Sequence, residues 1–424
     1  MNLNIDSFNL QWIGQSFLVP QETRLVFSDI LKRLDTGLIT FLIGPRRVGK
    51  STLLKQSLNH IINEQKVKRT QTFFYEFEPG QTRQDLDLVI NTYFENKLDK
   101  NSIFYMFLDE IQFIPNYELS LKYLVDQFPQ ARILITGSLS LGYKRKMAES
   151  LAGRILPIQI YPLCFEEYLK IAKLPQLKIF QESKNQLNLL SQAAVELNPE
   201  FQKFLTKATY PQAIFWPDTV PLKDFLDTIV NQSLNQDSMQ FFNLERPDLI
   251  SGLYKYLASN NGSEISLSTL ASKTQSNGIT IKKYLDVLEM LGLIYVLKNT
   301  LDPLKNINSK AKIYVNSMFE NSWANTNHNN LGNSVESYVL ERLMFSKSQI
   351  SFFRDRNKEI DFINYTNKEV IEVKYKANIE LDKFDFLAAK SKEIGYKPVI
   401  ISQSQTRLNG FEYNNFTIIP ACFI

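Results

Sequence analysis

The feature that most constrains this 424-residue chain is a glycine-bearing loop between a short apolar run and a helical pattern. Residues 38–43 are mainly apolar, which is typical of a parallel strand buried on both faces. The residues GPRRVGKST follow at 44–52, and leucines at helical spacing come next. The pattern GxxxxGK[ST] between a strand and a helix is typical of a loop whose backbone N–H groups bind phosphate. The sequence therefore predicts an α/β fold with a parallel sheet and a nucleotide site.

The residue types in this loop suit the chemistry of a nucleoside triphosphate. The two glycines let the backbone curl toward phosphate, the lysine can reach the β- and γ-phosphates during catalysis, and the serine hydroxyl can bind Mg²⁺. The two arginines contact either phosphate or a neighbouring domain, or they are simply exposed. The predicted cofactors are ATP and Mg²⁺. The predicted nucleotide-binding residues of the loop are Gly44, Pro45, Arg46, Arg47, Val48, Gly49, Lys50, Ser51 and Thr52.

A second apolar run, at 103–108, ends in two acidic residues. Asp109 is predicted to hold Mg²⁺, and Glu110 is predicted to orient or deprotonate the attacking water. A third apolar run, at 131–136, leads into Ser138, which is the predicted sensor of the γ-phosphate, with Thr136 as the second choice. Termination of the strand by Gly-Ser explains Ser138 equally well. The carboxyl ends of parallel strands share one edge of a sheet, so these groups are expected to lie together.

The composition argues against a zinc site and against a membrane-spanning or secreted protein. Two cysteines and two histidines are scattered along the chain, whereas a structural zinc site needs about four ligands, usually in close pairs. The net charge of +4 is too small to establish a polyanionic partner. No apolar run approaches the ~20 residues that span a bilayer, and the N-terminus lacks a secretory pattern. A cytoplasmic protein without membrane contact is therefore expected, with chemistry that depends on oxygen ligands, lysine and arginine.

The motifs over residues 38–169 resemble the AAA-type P-loop ATPases of the archaeal-ATPase-like family. They are GPRRVGKST, LDEIQ, ITGSLSL, AESLAGR and PLCFEEYL, in that order. The resemblance implies a P-loop NTPase core over 1–162 that hydrolyses ATP. It also implies that Arg154 of the LAGR motif completes a nucleotide site and stabilises charge on the transferring phosphoryl group. A surface arginine that packs under a loop is the alternative. An Arg154 that acts in trans requires a homo-oligomer.

The middle of the chain is predicted to be helical first and then to form a winged helix. No glycine occurs from Arg154 through Ser251, and apolar residues recur at helical spacing, so 163–245 is predicted to be a helical lid and linker. Residues 246–300 fit a winged helix whose recognition helix runs over 279–291. Lysines 273, 282 and 283 offer modest positive charge for phosphates. One hypothesis is that this winged helix contacts DNA, and the other is that it joins domains or binds a protein partner.

Two apolar strands near the C-terminus, joined by a polar turn, predict a hairpin. Residues two apart on a strand share a face, so Glu372 and Lys374 are expected to project together, with Asp361 beside them on the partner strand. Glu336, on an upstream amphipathic helix, can add a further carboxylate. Carboxylates that converge on one point bind Mg²⁺, and a neighbouring lysine can stabilise negative charge on a phosphodiester. These four residues are the predicted nuclease site.

The C-terminal set resembles the PD-(D/E)xK restriction-endonuclease-like fold and the domain usually fused to these ATPases. The matching residues are GNSVE at 332–336, RDR at 354–356, EIDF at 359–362 and EVK at 372–374. The resemblance implies an α/β restriction-endonuclease-like domain over 301–424. Since nuclease-like domains can be catalytically silent, cleavage is left open.

Together these features predict a Mg²⁺-dependent ATPase that couples its nucleotide state to a C-terminal region in contact with nucleic acid. Two alternatives are open: a nucleotide-gated switch that signals to a protein partner, and an ATP-dependent DNA endonuclease.

Overall fold

The structure is a computed structural model, and it describes residues 5–138, 151–217, 219–242, 244, 246–299, 310–320, 331–355, 358–404, 412–413 and 416–424. Parts of the ITGSLSL and AESLAGR motifs, and Arg356 of the RDR motif, lie outside these residues. The chain divides into two units, Met1–Ile160 and Tyr161–Ile424. Among the described helices, none combines the length and the apolar character needed to cross a membrane.

The first unit is built on a five-stranded parallel sheet in the order β2-β3-β4-β1-β5. Its strands are β1 (Ile39–Ile43), β2 (Thr72–Glu76), β3 (Phe104–Asp109), β4 (Ala131–Gly137) and β5 (Ile155–Gln159). Its helices are α1 (Phe27–Leu34), α2 (Lys50–Asn63), α3 (Arg83–Asn96) and α4 (Tyr117–Gln127). The predicted α/β fold with a parallel sheet is thus confirmed.

The three predicted strands lie at the centre of this sheet. Every residue of β1 and β3 is buried, which explains why both strands read as continuous apolar runs. Since β4 lies between β1 and β3, the loop after β1 and the acidic pair after β3 flank the end of β4. The carboxyl edge of the sheet therefore holds the loop at 44–52, the acidic pair and Ser138, but not Arg154.

The second unit begins with helices, as predicted for 163–245. They are α5 (Phe165–Ile171), α6 (Gln176–Ser183), α7 (Leu187–Lys203), α8 (Leu222–Gln232) and α9 (Ser238–Phe242). Phe201 of α7 packs on Tyr338 with 5.5 Å between ring centroids, and both belong to a core that includes Val373. The helical segment and the C-terminal residues therefore share one hydrophobic core.

Three helices and a small antiparallel sheet follow. The elements are α10 (Pro247–Ser259), β6 (Ser263–Ile265), α11 (Leu267–Thr274), α12 (Gly278–Met290), β7 (Ile294–Lys298) and β8 (Ala311–Val315). The side chain of Asn277 accepts a hydrogen bond from Thr280 N at 2.8 Å, so α12 begins one residue earlier than predicted. Strand β8 pairs with both β6 and β7. The predicted boundary at residue 300 consequently divides this sheet.

The C-terminal part holds a six-stranded mixed sheet in the order β13-β14-β12-β11-β10-β9. Its elements are α13 (Leu331–Phe345), β9 (Ile350–Asp355), β10 (Lys358–Asn364), β11 (Glu369–Lys374), α14 (Asp385–Ile394), β12 (Lys397–Ser402), β13 (Glu412–Tyr413) and β14 (Phe416–Pro420). The predicted hairpin is confirmed as the antiparallel pair β10–β11, whereas β11, β12 and β14 are parallel.

Short helical turns complete both units. The 3-10 turns are Ile5–Phe8, Leu10–Ile13, Arg69–Gln71, Ile111–Phe113, Gln212–Phe215, Leu381–Phe384 and Ala421–Phe423, and the π turns are Phe204–Ala208 and Ser233–Asp237.

Candidate functional site

The two glycines of the 44–52 loop are needed for different reasons. A Cβ atom on Gly44 would overlap the backbone carbonyl oxygen of Ile160. Gly49 has a φ of 102°, in the left-handed region that a glycine adopts without strain. Helix α2 starts at the next residue, so its first turn faces the loop. The loop has the backbone curvature expected of a phosphate-binding segment.

Lys50 is folded over the loop. Its side chain is buried, and Nζ donates hydrogen bonds to the carbonyl oxygens of Gly44 at 3.0 Å and Pro45 at 2.8 Å. The loop is also braced from outside, because Arg24 donates to the carbonyl oxygen of Val48 at 3.1 Å. Arg24 was not predicted from the sequence, because it lies 24 residues before Val48 and outside any motif. The positive charge of Lys50 is thereby held beside the backbone predicted to bind phosphate.

The other loop residues differ in exposure. Pro45 and Val48 are buried, whereas Arg46, Ser51 and Thr52 are half-buried. Arg47 is exposed and has a φ of 58°.

Asp109, the last residue of β3, lies against the loop. Its Oδ1 accepts hydrogen bonds from Ser51 Oγ at 3.1 Å and from Thr136 Oγ1. Its Oδ2 is buried, and the described residues offer it no hydrogen-bond partner. Burial is the main cause that raises the pKa of Asp109, to about 6. A buried carboxylate oxygen without a partner, beside a loop serine, fits Mg²⁺, which commonly binds one or two carboxylates together with substrate phosphates.

Glu110 is held by the ends of two neighbouring strands. Its φ is 53°, and its backbone N–H donates to Thr136 Oγ1 at 3.0 Å. Its carboxylate accepts hydrogen bonds from Ser138 Oγ at 3.2 Å and from Gln112 Nε2. The structure therefore brings the predicted sensor, Ser138, onto the predicted catalytic carboxylate. The second choice, Thr136, bridges Asp109 and Glu110.

Gln112 is a site residue that sequence reasoning missed. Its amide faces Gly137, where an added Cβ would lie 3.2 Å from Gln112 Oε1 and 2.9 Å from the Phe41 ring. The close approach of the Gln112 side chain to β4 therefore depends on the absence of a side chain at Gly137. The sequence feature that could have pointed to Gln112 is its position in LDEIQ, two residues after Glu110.

Arg154 lies at the opposite edge of the sheet. Its guanidinium forms an ion pair with Asp126, with Nε 2.7 Å from Oδ1 and Nη2 3.2 Å from Oδ2. Its carbonyl oxygen accepts from the N–H of Ile39, the first residue of β1, whereas the phosphate loop follows the last residue of β1. Five strand residues span roughly 13–16 Å. Arg154 therefore does not reach the predicted nucleotide-binding loop of its own chain.

The four predicted nuclease residues do converge, but around a lysine from another sheet. Lys312 of β8 is buried, and its Nζ lies 3.2 Å from Asp361 Oδ1, 3.8 Å from Glu336 Oε2 and 2.5 Å from Glu359 Oε1. Glu372 forms an ion pair with Lys374 at 2.8 Å. The register of β10 against β9 shifts between Ile360 and Ile363, an interval that contains Asp361.

The electrostatics of this cluster favour a charged lysine. Burial opposes the ammonium form of Lys312, but the surrounding carboxylates, Asp361 first among them, raise its pKa above the ordinary value. Burial and the nearby Asp361 raise the pKa values of Glu336 and Glu372. Asp361 Oδ2 is also occupied, since it accepts from Val373 N at 2.9 Å.

These residues do not fit the predicted Mg²⁺ site. Within the described ranges, no group of three or more Asp, Glu, His or Cys side chains is arranged to hold a metal ion. The Lys312 ammonium lies among the carboxylates that were expected to bind the metal. Lys312 was not predicted from the sequence. The feature that could have pointed to it is a lysine inside the apolar run AKIYV at 311–315.

Three family models match successive parts of the chain. Residues 36–169 match an AAA domain. The match supports an AAA-type ATPase. Residues 198–318 match a Domain of unknown function (DUF8612), and residues 331–423 match a Domain of unknown function (DUF4143). The second match ends after β8, as the three-stranded sheet does.

Curated relatives cover most of the chain but have no assigned activity. An "Uncharacterized protein" of Haemophilus influenzae is 25% identical over 394 residues, which are 89% of this chain and 93% of that protein. "Uncharacterized protein MJ1544" of Methanocaldococcus jannaschii is 26% identical over 392 residues, which are 89% of this chain and 83% of that protein. Among solved structures, AMPPCP-bound DnaA from Aquifex aeolicus aligns with a TM-score of 0.26 and 15% identity, covering 64% of this chain and 89% of that one.

Proposed function

We propose that this chain is a Mg²⁺-dependent ATPase whose catalytic groups are gathered at the carboxyl edge of the five-stranded sheet. The observation that carries the proposal is the Asp109 carboxylate, which accepts from Ser51 and keeps a buried oxygen without a hydrogen-bond partner among the described residues. Ser51 and Asp109 would hold Mg²⁺, and the ion would neutralise charge on the β- and γ-phosphates.

The residues around the metal position have separable roles in hydrolysis. Glu110 orients the attacking water and accepts its proton, because Ser138 and Gln112 fix its carboxylate. Lys50 exchanges its two loop carbonyl partners for phosphate oxygens when nucleotide enters. Ser138 senses the γ-phosphate through its hydrogen bond to Glu110.

Arg154 serves a nucleotide site only in trans. Its position at the amino edge of the sheet supports this assignment, because that edge is one strand length away from the loop of the same chain. A neighbouring copy would present its own loop to Arg154, which would release Asp126 and stabilise the transferring phosphoryl group. A homo-oligomer follows from this role.

The C-terminal unit is proposed to respond to the nucleotide state and to contact nucleic acid. The order of α10–α12 and β6–β8 supports a winged helix with α12 as its recognition helix. Lys282 and Lys283 are exposed on α12, and their charge suits DNA phosphates. The α13–β9–β10–β11–α14–β12 order supports the restriction-endonuclease-like assignment.

A switch that signals to a protein partner is the second candidate. Ile279, in the first turn of α12, is 85% exposed. A large apolar side chain at this position suits a protein surface better than a phosphate backbone. The same helix therefore carries one feature for each partner class.

The deciding experiment compares Glu110→Gln with Glu64→Gln, an exposed glutamate at the end of α2. Glu110→Gln is expected to bind ATP normally and to lose about 10²- to 10⁴-fold in turnover, the usual contribution of a general base. Glu64→Gln should hydrolyse ATP like the natural chain. Unchanged turnover in Glu110→Gln would reject the assigned role.

The partner class is resolved in the same assay by adding single- or double-stranded DNA. A nucleic-acid partner is supported if the chain binds DNA, if this binding weakens steeply with salt, and if it is lost when Lys282 and Lys283 are changed to Ala. Absence of DNA binding at low salt, with slow and DNA-independent turnover, supports the switch.

A further inference from the structure

The lysine-centred cluster combines residues from three different elements. We use this name for Lys312 of β8 with Glu336 of α13 and with Glu359 and Asp361 of β10. The lysine side chain is only 3% exposed, and all three carboxylates lie within 4 Å of its Nζ. Convergence of three carboxylates on one buried point is the arrangement expected around a cation.

The partners of the Asp361 and Glu336 oxygens indicate which cation the cluster accommodates. The 3.2 Å distance from Nζ to Asp361 is a hydrogen-bond length for an ammonium, whereas Mg²⁺ binds oxygen at about 2.0–2.1 Å. The second oxygen of Asp361 is used by Val373 N. The second partner of Glu336 Oε2 is the Tyr314 hydroxyl, at 3.3 Å. The cluster thus has its cation and its hydrogen-bond partners within the chain.

Neighbouring charges complete this arrangement. Arg354 lies 3.3 Å from Glu359 and 2.6 Å from Glu264, and Lys374 lies 2.8 Å from Glu372. A divalent ion placed among the carboxylates would meet the Lys312 ammonium at close range and repel it, in a site with little water to screen the charges. Expulsion of Lys312 would in turn leave a buried ammonium without partners, which is strongly unfavourable.

We propose that Lys312 is the resident cation of this cluster, so that the C-terminal module assembles and works without a divalent metal ion at that point. Because β8 belongs to the three-stranded sheet and the carboxylates belong to the C-terminal α/β part, the same ion pairs join these two parts of the second unit. Any action of this module on nucleic acid is then binding rather than metal-dependent cleavage. The proposal is independent of ATP hydrolysis in the first unit.

The test counts Mn²⁺ ions bound to the full-length chain without nucleotide, by electron paramagnetic resonance of free Mn²⁺. The natural chain and Asp361→Asn are expected to bind the same number of ions. Lys312→Met is expected to bind one more, because its carboxylates have lost their cation, and adding Glu336→Gln to it should remove that extra ion. Lys310→Met, which changes an exposed lysine two residues away, is the matched control.

Thermal unfolding gives a second readout. Lys312→Met is expected to lower the melting temperature by roughly 5–10 °C, as for loss of one partner of a buried ion pair, and Mn²⁺ should restore part of it. One Mn²⁺ ion that binds the natural chain and is lost in Asp361→Asn would overturn the proposal. A folded Lys312→Met that gains no ion would also overturn it. If Lys312→Met does not fold, the comparison of the natural chain with Asp361→Asn decides alone.

Discussion

Thr136→Val removes one hydroxyl from the centre of the proposed nucleotide site and keeps the shape of the side chain. Thr136 is fully buried at the end of β4, where Oγ1 donates to Asp109 and accepts from the backbone N–H of Glu110 at 3.0 Å. The hydroxyl therefore holds the Asp109 carboxylate, the proposed metal ligand, and the backbone of Glu110, the proposed catalytic residue, in one geometry. Valine fills the same volume but leaves both groups without that partner.

The size of the effect follows from the bond to a carboxylate. Hydrogen bonds to charged groups contribute about 1.5–3 kcal/mol, and each 1.36 kcal/mol in a barrier is a tenfold change in rate. If the hydroxyl acts by fixing Asp109 and Glu110, Thr136→Val should lower kcat by about 10- to 150-fold. Thr136→Ser keeps the hydroxyl and loses a methyl group, so its kcat should stay within a fewfold of the natural value.

The assay is steady-state release of phosphate at saturating Mg²⁺ and ATP, with circular dichroism to check that each variant is folded. Two results would refute the reasoning. A Thr136→Val protein as fast as Thr136→Ser would show that the bridge does not matter for turnover. A Thr136→Ser protein as slow as Thr136→Val would show that packing of the methyl group, rather than the hydroxyl, fixes the site.

Two further predictions concern the phosphate loop and a buried acid. Gly44→Ala should weaken binding of a fluorescent ATP analogue at least tenfold, since its Cβ overlaps the Ile160 carbonyl and the loop must move, while Gly252→Ala, with open space around it, should bind normally. Burial raises the pKa of Glu341 to about 8, against about 4.3 for an unfolded chain, so the free energy of unfolding should fall by up to about 1.4 kcal/mol per pH unit from about pH 5 to 8. Other buried carboxyl groups, such as Glu289 and Glu320, also have raised pKa values, so Glu341→Gln should make the fall less steep rather than abolish it. Urea unfolding of both proteins at pH 6, 7 and 8 measures the two slopes, and equal slopes would contradict the prediction.

The local features of the fold could be predicted because they depend on neighbouring residues. Strands β1, β3 and β4 are buried on both faces, so their apolar runs mark them, and the residue types of the loop report the backbone conformation directly. The hairpin of β10 and β11 follows from two apolar runs and a polar turn, and its register places Asp361 near Glu372. In each case the sequence pattern and the structural cause lie within a few residues of one another.

The unpredicted parts depend on contacts between distant residues. Lys312 is 49 residues before Asp361 and lies in a different sheet, so no spacing rule connects them. The core shared by Phe201 and Tyr338 joins segments that were assigned to separate domains. Strand β8 completes the sheet of β6 and β7 from beyond the predicted boundary at residue 300. Local periodicity carries no information about any of these three contacts.

The proposed nucleotide site and the lysine-centred cluster differ in the hydrogen-bond partners of their carboxylate oxygens, and this difference is the basis for proposing a metal ion at only one of them. At the nucleotide site, Asp109 keeps a buried oxygen for which the described residues provide no hydrogen bond, next to a hydroxyl that can share a ligand. At the lysine-centred cluster, Asp361 uses one oxygen for Lys312 and the other for Val373 N. A buried carboxylate oxygen left without a partner is costly, so it persists where a ligand completes it, whereas a satisfied carboxylate gains little from one. The motifs alone made both sites candidates for Mg²⁺. We propose, from the hydrogen-bond partners of the carboxylate oxygens, that the ion binds beside Asp109 and that Lys312 is the cation of the other site.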